Sequence, residues 1–315
     1  MLQLVFGRSG YGKTEYIRNR IAEKIDRGET QVLLITPEQY SFISEYSLLE
    51  QLGEARAHAV RCLSFSRLCD ECDRLYGADG RKPLTKGGKA ILMKTAIDQV
   101  RPDLELFEKK GSSAAFVQSM TGIYDEMKSC NLSGAAVYAA ADDLDTDILR
   151  CKMRDFSRIM TAYEVLLGDR FADPANRLSR LYDQIKDQNY FAGQTVFLDG
   201  FNGFVAQEYK ILERIIAEAK AVYIALDSDS FGTGDGYDLF AYVNETAGIL
   251  QRIANKAGVP TNALQLGENY RTDYADLRRV EQYIFADQAP EVEIPAEHIL
   301  SLIHISEPTR LGMIS

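Results

Sequence analysis

Gly7-Arg8-Ser9-Gly10-Tyr11-Gly12-Lys13-Thr14 is a G-x-x-x-x-G-K-T run set directly behind the apolar segment Leu2-Gln3-Leu4-Val5-Phe6. The spacing is that of a phosphate-binding loop. Leu2 to Phe6 has the length and apolarity of a buried strand, and Glu15 to Arg27 reads as the helix that follows, so the loop has its required context. Gly7, Gly10 and Gly12 leave the backbone free to turn its N–H groups onto phosphate oxygens, with Ser9 and Tyr11 completing the cradle. The helix N-terminus adds partial positive charge. Lys13 is expected to reach the β- and γ-phosphates of a nucleotide such as ATP. Thr14 is expected to place its hydroxyl on Mg²⁺, a cation that prefers hard oxygen ligands.

The 315 residues are 46% hydrophobic, enough for one large α/β domain or two smaller ones. No apolar run approaches the length of a membrane span, and the sequence begins on the strand itself instead of a charged leader. Five cysteines, an odd number without framework spacing, point to reduced thiols and a cytoplasmic setting. Cys69 and Cys72 form a C-x-x-C, but no second pair follows at zinc-site distance, so structural thiols are expected. A formal charge of -10 gives no overall support for nucleic-acid binding, although a local basic groove can sit on an acidic protein.

Outward from the loop, Gln31 to Thr36 reads as a second buried strand stopped by Pro37, Ser41 to Leu52 as a helix, and Ala59 to Leu63 as a third strand. Ser64 or Ser66 is a suitable N-cap for a helix running toward Tyr76. From about Leu84 to Tyr190 the pattern is helix after helix. Leu149, Met153, Phe156, Met160, Tyr163 and Leu167 alternate spacings of four and three, a core-facing stripe, and Val117, Met120, Tyr124 and Met127 mark another. At Gly193 the α/β pattern resumes, with strands at Thr195 to Asp199 and Ala221 to Leu226 around a helix from Ala206 to Ala219. The expected organisation is a split nucleotide-binding domain, residues 1–80 and 191–299, interrupted by an all-helical insertion over 81–190.

Asp199 ends an apolar strand, where a parallel sheet presents ligand-contacting residues. This is the Walker B position, and its carboxylate is expected to hold Mg²⁺ together with Thr14. Next to it stands Gly200, where many hydrolysing motors carry a glutamate that activates water. Asp227 and Asp229 close the following strand and are expected to form a capped turn.

A helical insertion between Lys13 and Asp199 resembles the RecA-like P-loop NTPase domain of UvrD-like superfamily 1 helicases. Four ordered stretches, Val5 to Gly10, Leu34 to Gln39, Ser64 to Leu68, and Leu198 to Phe201 with Phe204 and Gln207-Glu208, are similar to the AddB (RexB) family. The resemblance runs from residue 1 to about 299. It implies one of the two subunits of the bacterial ATP-dependent helicase/deoxyribonuclease, paired with an AddA-type partner to resect double-strand breaks for recombination. It further implies scanning of single-stranded DNA for Chi, with Thr36, Gln39, Phe65 and Arg67 as DNA contacts, Phe65 stacking on a base and Arg67 pairing with a phosphate. The alternative for these two is an ordinary core phenylalanine and a surface charge. The family's iron-sulfur cluster and nuclease domain belong to a C-terminal half outside this chain, and its charge-stabilising arginine to a second RecA-like domain. Residues 301–315 depart from the family pattern and read as a non-native tail. Two other functions stay open: a generic P-loop ATPase or phosphotransferase, for which Leu132-Ser133-Gly134 starts a transporter-like signature that Ala135 and Ala136 break, and a non-hydrolysing DNA-binding scaffold.

Overall fold

The computed structural model of the protein describes residues 1–78, 80–110, 113–229 and 239–284. The non-native tail and the end of the expected nucleotide-binding domain, from residue 285, lie outside the described residues.

Six parallel strands form one sheet in the order β3-β2-β6-β7-β1-β8. They are β1 (Leu2–Gly7), β2 (Val32–Ile35), β3 (Val60–Leu63), β6 (Thr195–Leu198), β7 (Ala221–Asp227) and β8 (Thr261–Gln265). A separate two-stranded sheet joins β4 (Lys82–Pro83) to β5 (Phe171–Ala172). The central strands read as unbroken apolar runs because both faces of the sheet are covered. The pleat sends Ile35, Leu198 and Leu226 to one face, and Leu34, Phe197 and Ala225 to the other.

On the second face lie α1 (Lys13–Asp26), through Ile17 and Ile21, and α2 (Ser41–Leu52), through Leu48 and Leu52. The first face is covered by α4 (Phe65–Tyr76), α9 (Arg177–Ile185), α10 (Ala206–Glu218) and α11 (Ala241–Lys256). Ser64 is the N-cap of α4, accepting from the Arg67 N–H at 3.2 Å. Cys69 and Cys72 face this core as free thiols, and burial pushes them up to about 11 and about 12. Among the described residues no group of three or more His, Cys, Asp or Glu could hold a metal ion, and no helix is long and apolar enough to cross a membrane.

The helical block has its own core, built by α5 (Lys86–Val100), α6 (Ala114–Ser129), α7 (Gly134–Ala141) and α8 (Asp147–Leu167). Phe156, Met160, Tyr163 and Leu167 of the α8 stripe are buried in it, whereas Leu149 at its start is 41% exposed. Tyr163 meets Tyr124 edge-on at 4.7 Å between centroids. Leu181 and Ile185 of α9 pack instead with the sheet's core. The two family-like residues Gln207 and Glu208 are structural: Gln207 donates to the Ala175 carbonyl and Ser179 Oγ at 3.0 Å each, and Glu208 accepts from the Val205 N–H at 2.9 Å.

Glu29 ties the amino ends of three elements together. It accepts from Thr195 Oγ1 at 2.6 Å and pairs with Lys220 at 3.0 Å and Lys24 at 3.3 Å. Burial alone would raise its pKa, but the hydrogen bonds from Thr195, Lys220 and Lys24 outweigh it and hold the carboxyl at about 2. A depressed folded pKa stabilises the protein above the unfolded value, and that stability is lost as pH falls toward 2. The shift corresponds to about 3 kcal/mol at neutral pH. Glu29→Gln is expected to flatten the acid side of a urea-denaturation pH profile; an unchanged slope would show that Glu29 contributes nothing there.

Candidate nucleotide site

The loop after β1 is set by its glycines. Gly10 (φ 89°) and Gly12 (φ 77°) are both left-handed, a conformation side-chain-bearing residues rarely take. Gly12 is the N-cap residue of α1, so the helix begins at Lys13, two residues before its expected start. Ser9 and Thr14 are exposed, and Tyr11 is half-buried with its hydroxyl 3.4 Å from Glu281 Oε2.

Lys13 folds back across the loop. Its ammonium donates to the carbonyls of Gly7 at 2.7 Å and Arg8 at 2.9 Å, and pairs with Asp227 Oδ1 at 2.5 Å. Arg8 pairs with Asp229 Oδ2 at 2.8 Å and reaches the Glu281 carbonyl at 2.9 Å. Asp227 and Asp229 are therefore partners of the loop's two cations, not a self-contained capped turn. Neither pairing could be read from a sequence in which the partners stand more than two hundred residues apart.

β6 lies next to β7, which lies next to β1, so the carboxyl ends of the three strands converge. Asp199 is 8% exposed there and accepts from the Thr14 hydroxyl and the Gly200 N–H. Burial raises its pKa above the ordinary carboxylate range, with these two bonds and Lys13 opposing. Two hard oxygens, one hydroxyl and one carboxylate, thus sit together at the first turn of α1, a donor set suited to Mg²⁺.

A cavity of about 1160 Å³ opens over this group. Its far wall, residues 265–271, contains side chains that the sequence pattern did not single out. Tyr270 donates its N–H to the Gly10 carbonyl at 2.9 Å, and its ring lies where a Cβ on Gly12 would stand only 3.3 Å away. A Cβ on Gly10 would meet Arg271 Cβ at 2.8 Å. Arg18 of α1 and Arg271 both line the cavity, so arginines lie against the phosphate loop within this chain, where the resemblance had placed one in a second domain. The legible signal was a Glu-Asn-Tyr-Arg run following β8, an aromatic and a cation in a loop behind a strand end.

Gly200 has φ 82°, and a Cβ there would stand 3.4 Å from Pro37 Cδ. Glutamate is disfavoured at this position by the backbone itself. Gly200→Glu is expected to cost about 1–2 kcal/mol from the left-handed conformation, read as a lower thermal midpoint, without conferring ATP turnover. Robust turnover by that variant would show that only the side chain was missing.

The four DNA candidates separate by exposure. Thr36 is 1% exposed, and Phe65 is 7% exposed with its ring edge-on to Phe201 at 5.8 Å. Neither offers a free face to a base, so the expected stacking by Phe65 gives way to the core alternative: α4 starts at Phe65 and turns that first position inward. Gln39 is exposed on the short turn Glu38–Tyr40. Arg67 keeps a partly exposed guanidinium 3.3 Å from Glu45 Oε2. Both lie near the carboxyl ends of β2 and β3, on the same edge of the sheet as the phosphate loop.

A family model described as "ADDB, N-terminal" matches residues 4–281. The chain belongs to this family. Its curated relatives are all named as the B subunit of an ATP-dependent helicase/deoxyribonuclease. The relative from Clostridioides difficile strain 630 is 31% identical over 265 residues, 82% of this chain and 23% of the relative. That from Clostridium botulinum strain Langeland is 26% identical over 321 residues, 98% of this chain and 28% of the relative. That from Clostridium tetani strain Massachusetts is 29% identical over 252 residues, 78% and 22%. The chain therefore spans about a quarter of the length of the curated relatives it matches.

Proposed function

We propose that this chain is the nucleotide-binding, helicase-like part of an AddB-type subunit in an ATP-dependent helicase/deoxyribonuclease that resects DNA breaks. The reading is carried by one observation, the Thr14 hydroxyl bonded to Asp199 at the foot of a glycine-formed phosphate loop. In this proposal the loop N–H groups and Lys13 hold the phosphates, Thr14 and Asp199 hold Mg²⁺ directly or through water, and Tyr270, Arg271 and Arg18 form the facing wall. The metal neutralises phosphate charge when bound; the chain supplies position and orientation. The domain is RecA-like, split by its helical insertion. Adjacency of β1, β7 and β6, which lets Asp199 face Thr14, supports that arrangement.

Beyond the site, the protein pairs with an AddA-type partner and acts on single-stranded DNA, with Chi as the sequence scanned. The relatives' shared name supports a partner subunit and DNA, and exposed Gln39 and Arg67 are the chain's proposed contacts. Gly200 favours a specific second role: with no water-activating glutamate and a backbone that disfavours one, the nucleotide holds the fold in a DNA-scanning state instead of fuelling movement.

Calorimetric titration of the full chain with ATP, with and without Mg²⁺, tests the site. Binding should require Mg²⁺, and Asp199→Asn should lose about tenfold of that affinity, the loss of one charged metal contact. Metal-independent binding in both proteins would remove Asp199 and Thr14 from the site.

A further inference from the structure

A phosphate-loop lysine serves its ligand by pointing three N–H donors at phosphate oxygens. Here all three directions are taken. Lys13 Nζ is held by the Gly7 carbonyl at 2.7 Å, the Arg8 carbonyl at 2.9 Å and Asp227 Oδ1 at 2.5 Å. The first two are backbone contacts within the loop. Asp227 differs, because it comes from the end of β7, lines the cavity and keeps its side chain 42% exposed, facing the space a ligand would fill.

The position of Asp227 has a consequence for phosphate number. In a cradle of this kind the β-phosphate sits within the loop's N–H groups, and the γ-phosphate lies beyond it, beside the lysine. Asp227 occupies the lysine on that outer side. Asp199 stands nearby and adds a second negative group, whose pKa Asp227 itself raises through its charge. Mg²⁺ on Thr14 and Asp199 would offset one carboxylate and leave the other.

We propose that Asp227 makes this site select nucleoside diphosphates over triphosphates. The inference rests on the nucleotide site proposed above and gives it a ligand class. A diphosphate leaves the Lys13–Asp227 pair in place and uses the loop N–H groups for its β-phosphate. A triphosphate must pull Lys13 away from Asp227 and then hold its γ-phosphate beside an unpaired carboxylate. Like charges at such range oppose binding, the more so inside a cavity that partly excludes water. Asp227 is thus a specificity-determining residue, acting on the terminal phosphate and through Lys13.

The test is titration of the full chain with ADP and with a non-hydrolysable ATP analogue, both with Mg²⁺, beside Asp227→Asn and Asp227→Ser. Wild type should bind ADP about tenfold more tightly than the ATP analogue, and either variant should bring the two within about threefold by improving the ATP analogue. The wild-type ratio needs no variant to fold, and circular dichroism establishes that each variant has folded. Tighter binding of the ATP analogue by wild type overturns the proposal while leaving the nucleotide site standing. An unchanged ratio in both folded variants also overturns it, because another group would then set the preference. If folded wild type binds neither ligand, the nucleotide site itself fails, and the proposal with it.

Discussion

Asp173→Ala is expected to cost about 3–5 kcal/mol, the range for removing one partner from a buried ion pair. Asp173 is 1% exposed between the helical block and the chain's return toward the sheet. One carboxylate oxygen accepts from Lys89 Nζ and the Ala175 N–H, each at 2.9 Å; the other accepts from the Tyr163 hydroxyl at 2.6 Å. Lys89 is itself only 8% exposed. Its other acid, Asp125, keeps about half of its side chain in solvent and compensates less well. Alanine at 173 therefore leaves a buried ammonium short of its principal counter-charge and a buried tyrosine hydroxyl without its acceptor. Urea denaturation followed by circular dichroism measures the loss. A cost below about 1 kcal/mol would mean that water or relaxation replaces the carboxylate. Replacing the pair together by Lys89→Met and Asp173→Leu is expected to recover much of the loss, since two apolar groups leave nothing unsatisfied.

Lys13→Ala is expected to weaken Mg-nucleotide binding by about a hundredfold, equivalent to about 3 kcal/mol for a charged hydrogen bond to phosphate. The effect should fall on binding and spare the fold. Lys13 donates to two loop carbonyls, but its acid, Asp227, is 42% exposed and can be hydrated when the ammonium is gone. Thermal midpoints of variant and wild type should therefore agree closely, while calorimetric binding disappears at concentrations that saturate wild type. Affinity retained in the variant would remove the loop from the site, whatever its glycine conformations. Loss of DNA processing by an assembled complex carrying Lys13→Ala would show that the site works for the whole complex; normal processing would assign it a role in holding the fold.

The contrast between these two variants follows what a sequence can reveal. Local spacing carries the loop, since the glycines, Lys13 and Thr14 are consecutive and their roles depend on backbone conformation nearby. The strands are equally legible: β2, β6 and β7 fall within a residue of their expected bounds because apolar runs between turn formers mark buried parallel strands. The helix from Ser41 to Leu52 matches its expected bounds. Other features were set by distant packing. Asp227 and Asp229 look like ordinary strand-end acids until β7 is placed beside β1. Phe65 and Thr36 sit in an exposed-looking motif, yet α4 and the pleat turn both inward. Tyr270 and Arg271 become cavity wall only because β8 joins β1 at the sheet's edge. The two-residue strand Phe171–Ala172 is too short for any alternation to register.

That short strand has a further consequence. Lys82 pairs with Phe171 and Pro83 with Ala172, so the points where the chain departs for the helices and comes back are neighbours. Paired backbones stand about 5 Å apart, a gap that a linker of about three residues spans. To the sheet, the intervening helices are topologically a single closed excursion, and lengthening such an excursion adds little to the entropy of closing it. The fold is thus modular at this seam: helical cargo can be exchanged, enlarged or excised there while the strands on either side keep their register.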